Sequence, residues 1–414
     1  MSPSLRMQTL SLENRIRSVA AQVAPRLGFV VMGWILGSWA IRARDAAATK
    51  DWRSFYDRDW RLFYDTASLL LSGRVGALYP GVTPDLPFVY PPFFAWQVLP
   101  LGLAPRSAAY GCLLVAMLLA TAAALWSLRE ALDPQRRPVE VWIWFVLSSA
   151  GWTWMVVAGH ISAWYLMLAS LGLLLWTRDR PIAAGLVLSL MLSKPHYALV
   201  VLCAIALARG WRVLVGALSG AAVLAASTIP LGWATWKAWA SQAAAAPALV
   251  HAVPAWKQIT LRASWLSLFE PARAQWATAL WLLTAGSAAT LAGWAAWRAG
   301  TDASRRGRII GLGVLVALAC GPYAFHYDGL LLAIPGLAWY LQRETYLTSR
   351  SHMWCGVFVW LAYVVQHLNG WVLQRNPSLT GFLLTGWLVV EALDLLQARR
   401  LPRDLLSRPS AQAD

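Results

Sequence analysis

Two groups of ionisable residues in this chain have the makings of a reaction centre. The first is the stretch DWRSFYDRDWRLFYD (51–65), in which a seven-residue phrase, D-W-R-x-F-Y-D, is spelled twice with one Arg between the copies. It offers four carboxylates, Asp51, Asp57, Asp59 and Asp65, interleaved with Arg, Trp and Tyr. A carboxylate held against a hydroxyl can serve as a general base, a role worth roughly 10²–10⁴-fold in rate. The second is Lys194, in SKPH (193–196), with Lys257, Arg262 and His326 as possible companions farther along. Cations of these types hold phosphate. Trp and Tyr suit sugar rings and the membrane interface.

The elements that must position these residues are membrane helices. Of the 414 residues 58% are hydrophobic and 13% charged, and the mean hydropathy is +0.51. Apolar runs recur along nearly the whole chain, the mark of an all-α polytopic membrane protein. The first 26 residues are polar, and the run that follows lacks a small-residue cleavage site, which argues against a cleaved signal peptide. The net charge of +16 does not point to nucleic acid. Its Lys and Arg are scattered through short connections and form no continuous basic face, as topology signals do. Cys112, Cys203, Cys320 and Cys355 all sit in apolar runs and imply neither a disulfide nor a metal cluster. No His/Cys cluster argues for a metal either.

Twelve spans are expected: Leu27–Arg44, Ser107–Leu128, Val139–Val157, Ser162–Trp176, Pro181–Leu192, Tyr197–Ala208, Trp211–Leu231, Trp276–Trp297, Ile309–Tyr323, Asp328–Gln342, His352–Leu368 and Thr380–Leu396. A shorter segment, Val89–Leu103, carries Pro91, Pro92 and Pro100 and reads as re-entrant or interfacial. An even number of crossings puts both termini on one side. The segments then assigned to the cytoplasm, including residues 1–26 and the tail 397–414, hold 21 of the 35 Lys and Arg, as the positive-inside rule requires. The two long loops, 45–88 and 232–275, fall on the opposite side, with amphipathic helices expected in the first. In a bacterial inner membrane that side is the periplasm. The whole chain forms one integral-membrane domain.

The polar interruptions all open to that same outer side: the doubled phrase, GHIS (159–162), SKPH (193–196), the loop 232–275 and FHYD (325–328). Pro181–Leu192 and Tyr197–Ala208 are each about 18 Å long against a hydrocarbon core of about 30 Å, so Lys194 between them lies at membrane depth. An ionisable group there costs about 2.5–3.5 kcal/mol on insertion scales and marks function. Irregular backbone at that depth must line a cavity. A phosphate reached from within the bilayer implies a lipid-linked phosphate, so base, clamp and aromatic walls describe transfer of a sugar from a polyprenyl phosphate to a hydroxyl acceptor. The alternative is a secondary transporter or a flippase for lipid-linked sugars. Discontinuous helices suit that class, but no half-length repeat is visible.

The segments DWRLFYDTA (59–67), SGRVGALY (72–79) and FVYPPFFAWQVLPL (88–101) resemble the opening signature of glycosyltransferase family 87. GHIS (159–162), AGL (184–186) with SKPH, and FHYDG (325–329) continue in the family's order. The family comprises polyprenyl-phosphate-sugar-dependent mannosyl- and arabinosyltransferases of the GT-C superfamily. The resemblance implies a GT-C fold and inverting transfer of a single sugar, mannose or arabinofuranose, to a glycolipid or polysaccharide acceptor at the bilayer. It implies no cofactor beyond the lipid-linked donor. It selects Asp59, ahead of F-Y-x-x-A, as the catalytic base over its echo Asp51, with Asp65 the second candidate. Lys194, His326, Lys257 and Arg262 become the donor-phosphate candidates. Tyr64, Tyr90, His160 and His196 become further cavity candidates. His160 stands where members carry Gln, and Gln258 stands in a loop where many carry Asn-x-Ser.

Overall fold

Helices that are apolar on every side can rest against lipid with any face, and the longest helices of this chain have that character. The computed structural model describes residues 59–79, 88–133, 139–147, 149–251, 253, 255–269, 273–300, 302–342, 345–346, 348–368 and 378–397. Among these the regular structure is helical, with no strand and a single isolated antiparallel bridge between Gln258 and Phe325. Arg106–Leu132, Trp211–Leu231, Ala274–Ala299 and Thr380–Gln397 are long and apolar enough to cross a membrane. At about 1.5 Å per residue the first rises roughly 40 Å. Leu118, Leu119 and Trp126 on that helix are more than half exposed, which is surface for lipid tails to cover. The chain is a membrane protein.

The expected first span 27–44, the first copy of the doubled phrase with Asp51 and Asp57, half of the loop 45–88 and the tail beyond 397 lie outside the described residues. Elsewhere three expectations change. The segment 139–157 is two helices, Val139–Leu147 and Ala150–Ala158, parted at Ser149, whose side chain accepts from the Trp152 amide at 3.1 Å and caps the second. The segment 328–342 begins as a 3-10 turn, His326–Leu332, before the Ala333–Leu341 helix. The loop 232–275 contains two helices, Trp233–His251 and Leu261–Leu268. The short segment 89–103 reduces to Phe94–Val98 and a 3-10 turn, Leu99–Leu103, roughly half a crossing in length.

The two short helices around Lys194 follow from local chemistry. Pro195 holds the preceding residue away from helical backbone, and Lys194 sits at φ −117° and ψ 81°. The Pro181–Ser189 helix therefore ends in a 3-10 turn, Leu190–Ser193, and a new helix, Pro195–Leu207, starts with proline in its first turn. The Pro181–Ser189 and Trp211–Ser227 helices pack closely because the contact is made of glycine. A Cβ at Gly185 would lie 2.0 Å from the Val213 carbonyl oxygen, and one at Gly216 would lie 2.0 Å from that of Ile182. Small residues at such crossings let two backbones approach.

The Arg306–Ala319 helix runs between two buried polar groups. Its far end leads through residues 320–325 into the 3-10 turn that bears Asp328. At its near end Arg308 is 1% exposed and pairs with two carboxylates of the Thr380–Gln397 helix, Glu391 at 2.5 Å and Asp394 at 2.9 Å. Tyr346 donates to Glu391 at 2.6 Å and lays its ring under the guanidinium, 3.8 Å from ring centre to Cζ.

Candidate active site

Lys194, displayed at the break before Pro195, is 8% exposed. Its Nζ donates to Asp328 Oδ1 at 2.6 Å, and Asp328 is 1% exposed. The other oxygen of Asp328 accepts the Phe325 amide at 3.1 Å, so the turn that carries the carboxylate is closed by it. The ammonium is walled by the rings of Tyr165, Tyr197 and Tyr327, with centroids 5.2, 5.3 and 5.3 Å away. Ring faces of this kind attract a cation. Tyr165 is itself fixed by Ser193, hydroxyl to hydroxyl at 3.0 Å. A charge-assisted contact this short in so dry a place is strong, and removing either partner would strand a buried charge.

From this pair a run of contacts leads to the first helix of the described chain. The Tyr327 ring stacks on His160 at 3.7 Å between centroids and 15° between planes. His160 is 2% exposed. Its Nδ1 is 2.8 Å from Ser162 Oγ and its Nε2 is 3.3 Å from the Tyr90 hydroxyl. Burial, with Lys194 nearby adding to it, holds the His160 pKa well below its usual value, so the ring is a neutral hydrogen-bonding group and not a second cation. Tyr79 donates to the Tyr90 carbonyl at 2.8 Å and stiffens the loop that presents Tyr90.

Asp59 opens the Asp59–Leu71 helix and is half-buried. One turn along the same face, Phe63 sets its ring edge against His160 at 6.0 Å and Tyr90 at 5.8 Å. Burial pushes the Tyr90 phenol well above its ordinary pKa, and Tyr165, Asp59 and Asp328 push it further. The Asp59 helix, Tyr90, His160, Lys194 and Asp328 belong to one polar centre.

His326 and His196 flank it. His326 is buried and stacks on Trp154, 5.7 Å between ring centres. The His196 ring lies 4.2 Å from Tyr197 and 4.6 Å from Tyr323, and its Nε2 is buried with no hydrogen-bond partner among the described residues. Gln258 is drawn to the same turn by the backbone, through its bridge to Phe325 and the Ile259 amide on the Ala324 carbonyl at 2.9 Å. Arg262, four residues on, is buried, with its guanidinium 5.9 Å from the Trp281 ring. Lys257 is exposed. Two candidates look elsewhere. Asp65 turns to Arg106 at 3.6 Å, and the Arg106 guanidinium also covers Tyr64 at 5.9 Å.

Asp328, Tyr165, Tyr197 and Tyr327 escaped sequence reasoning as site residues. The signal was present for Asp328, an acid in an apolar stretch that also holds His326. Its partner is 134 residues away, and no local pattern names it.

No curated protein and no solved structure matches the chain. A family model, glycosyltransferase family 87, matches residues 88–322. That match covers more than half of the chain and most of the centre just described, Tyr90, His160 and Lys194 included; the chain belongs to glycosyltransferase family 87.

Proposed function

We propose that this glycosyltransferase moves a single sugar, mannose or arabinofuranose, from a polyprenyl-phosphate donor to a hydroxyl of a glycolipid or glycan acceptor, with inversion at the anomeric carbon. It acts as one GT-C domain of about twelve spans in a bacterial inner membrane, with both termini cytoplasmic, the centre open to the periplasm and no resident cofactor. Asp59 accepts the acceptor's proton as the hydroxyl oxygen bonds to the anomeric carbon. The bond from that carbon to the phosphate oxygen breaks, and its electron pair stays with the lipid phosphate. Inverting hydrolases need an acid as well as a base because an alkoxide leaves poorly. A phosphate leaves readily, so a base and a cationic clamp suffice. Lys194, with His326 and Arg262, supplies the clamp.

The observation that carries this reading is the continuity from the Asp59 helix to Lys194 through Phe63, His160 and Tyr327. That continuity supports a base and a cation acting on one substrate, as a single displacement requires. A transferase family also supports chemistry over transport. The test is Asp59→Asn in purified enzyme, assayed with labelled mannosyl- and arabinosyl-phosphoryl polyprenols. Transfer should fall by about 10²-fold or more while the protein stays folded. Full activity in that variant removes the assignment.

A further inference from the structure

A clamp for a lipid phosphate is expected to carry free positive charge, yet Lys194 is already neutralised by Asp328 at 2.6 Å. We infer that Asp328 is a positioning residue which shares Lys194 with the lipid phosphate and, by drawing the ammonium back, releases the phosphate product. This rests on the transfer reaction proposed above and adds a role to it.

The argument is one of charge. The donor is a phosphodiester with one negative charge. When the anomeric carbon leaves the phosphate oxygen and the acceptor's proton goes to Asp59, the lipid phosphate becomes a monoester that bears up to two. A neutral Lys–Asp pair grips the monoanion weakly. As the second charge develops, the ammonium is pulled toward the phosphate, so its help is greatest after the ground state, where help raises turnover. A lone buried ammonium would instead hold the dianionic product after the sugar has gone.

The geometry lets the lysine be the partner that moves. Asp328 is fixed through its second oxygen on the Phe325 amide, inside the His326–Leu332 turn. Lys194 is a flexible stem on a non-helical residue, and its ammonium has three donors. The ring faces of Tyr165, Tyr197 and Tyr327 surround it at nearly equal distances. They stabilise the charge wherever it sits between its two anions and take no hydrogen from it.

Asp328→Asn keeps the shape and removes the competitor. In that variant farnesyl phosphate, used as a product inhibitor, is expected to inhibit at least tenfold more tightly than in the wild type. Turnover should show a burst of one equivalent and then a slow steady state. A properly folded Asp328→Asn protein with unchanged or weaker inhibition overturns the inference, because a merely structural ion pair would give that result. Should the variant not fold, Lys194→Met with Asp328→Leu replaces the pair by apolar volume, a swap that buried ion pairs often tolerate. That protein should bind farnesyl phosphate at least tenfold more weakly than wild type, and unchanged binding overturns the inference equally. If the wild type neither transfers sugar nor binds farnesyl phosphate, the transfer reading itself fails. If it does both and Asp328→Asn gains nothing, only the role of Asp328 falls.

Discussion

The two aspartates of the second DWRLFYD copy differ in surroundings more than in sequence. Asp59 opens the helix whose Phe63 packs on Tyr90 and His160, whereas Asp65, six residues on, faces Arg106 near the surface. Burial raises the Asp65 pKa, with Arg106 and Arg61 opposing it. A carboxyl whose folded-state pKa is raised lends stability only in acid, and that contribution is lost as pH climbs from the unfolded value toward the raised one. At neutral pH the ionised Asp65 thus adds nothing to stability, and its ion pair, with Arg106 63% exposed, is of the weak surface kind. Asp65→Asn is therefore expected to leave the neutral-pH melting temperature unchanged or slightly higher, and sugar transfer within about twofold, since exposed pairs contribute about 0–1 kcal/mol. A melting curve in detergent and the transfer assay check both. Collapse of activity would move Asp65 into the site.

At the scale of elements, the break at Lys194 was legible because proline dictates it locally. The polar interruptions were legible because they are anomalies in apolar runs. What could not be read was which interruption meets which. The pairing of Lys194 with Asp328 depends on how the Pro195–Leu207 and Arg306–Ala319 helices pack, and on the turn after the second. The division at Ser149 was missed because residues 139–157 are apolar on both sides of it, and one serine is a modest cap signal. The two helices inside the 232–275 loop were missed because their alanine and tryptophan have no strong period. Helix packing around the break makes its own prediction. Gly216→Val puts a side chain into the Ile182 carbonyl, so the Pro181–Ser189 helix must shift and carry Lys194 with it. The variant should lose several degrees in melting temperature and most of its transfer activity. Gly286 has no atom within 4 Å of an added Cβ, so Gly286→Ala should be neutral or stabilising by up to about 1 kcal/mol from helix propensity. Equal loss in both would mean that the glycine contact has no special role.

At the scale of the whole molecule, the two buried ionic groups sit at opposite ends of the Arg306–Ala319 helix. At about 1.5 Å per residue its 14 residues set them roughly 20 Å apart. The Arg308 group was overlooked because Arg308 was counted among the loop charges that signal topology. An i, i+3 pair of acids, Glu391 and Asp394, inside an apolar helix was the available clue, since such residues in a span demand a partner. Their arrangement also fixes what the topology must be if the charge rule holds. On the topology proposed above, the Lys194 end would face the periplasm, together with the Asp59–Leu71 helix, and the Arg308 end would face the cytoplasm. Two exposed positions report on this directly: Ser72, just past the Asp59 helix, and Ala303, in the 3-10 turn before Arg306. In a background with the four native cysteines replaced by alanine, Ser72→Cys should react with a membrane-impermeant maleimide in intact spheroplasts, and Ala303→Cys only after the membrane is opened. The reverse pattern would turn the molecule over and give the site a cytoplasmic donor. Reaction of both in intact spheroplasts would place the two ends of the Arg306–Ala319 helix on one side, which a helix crossing between them does not permit.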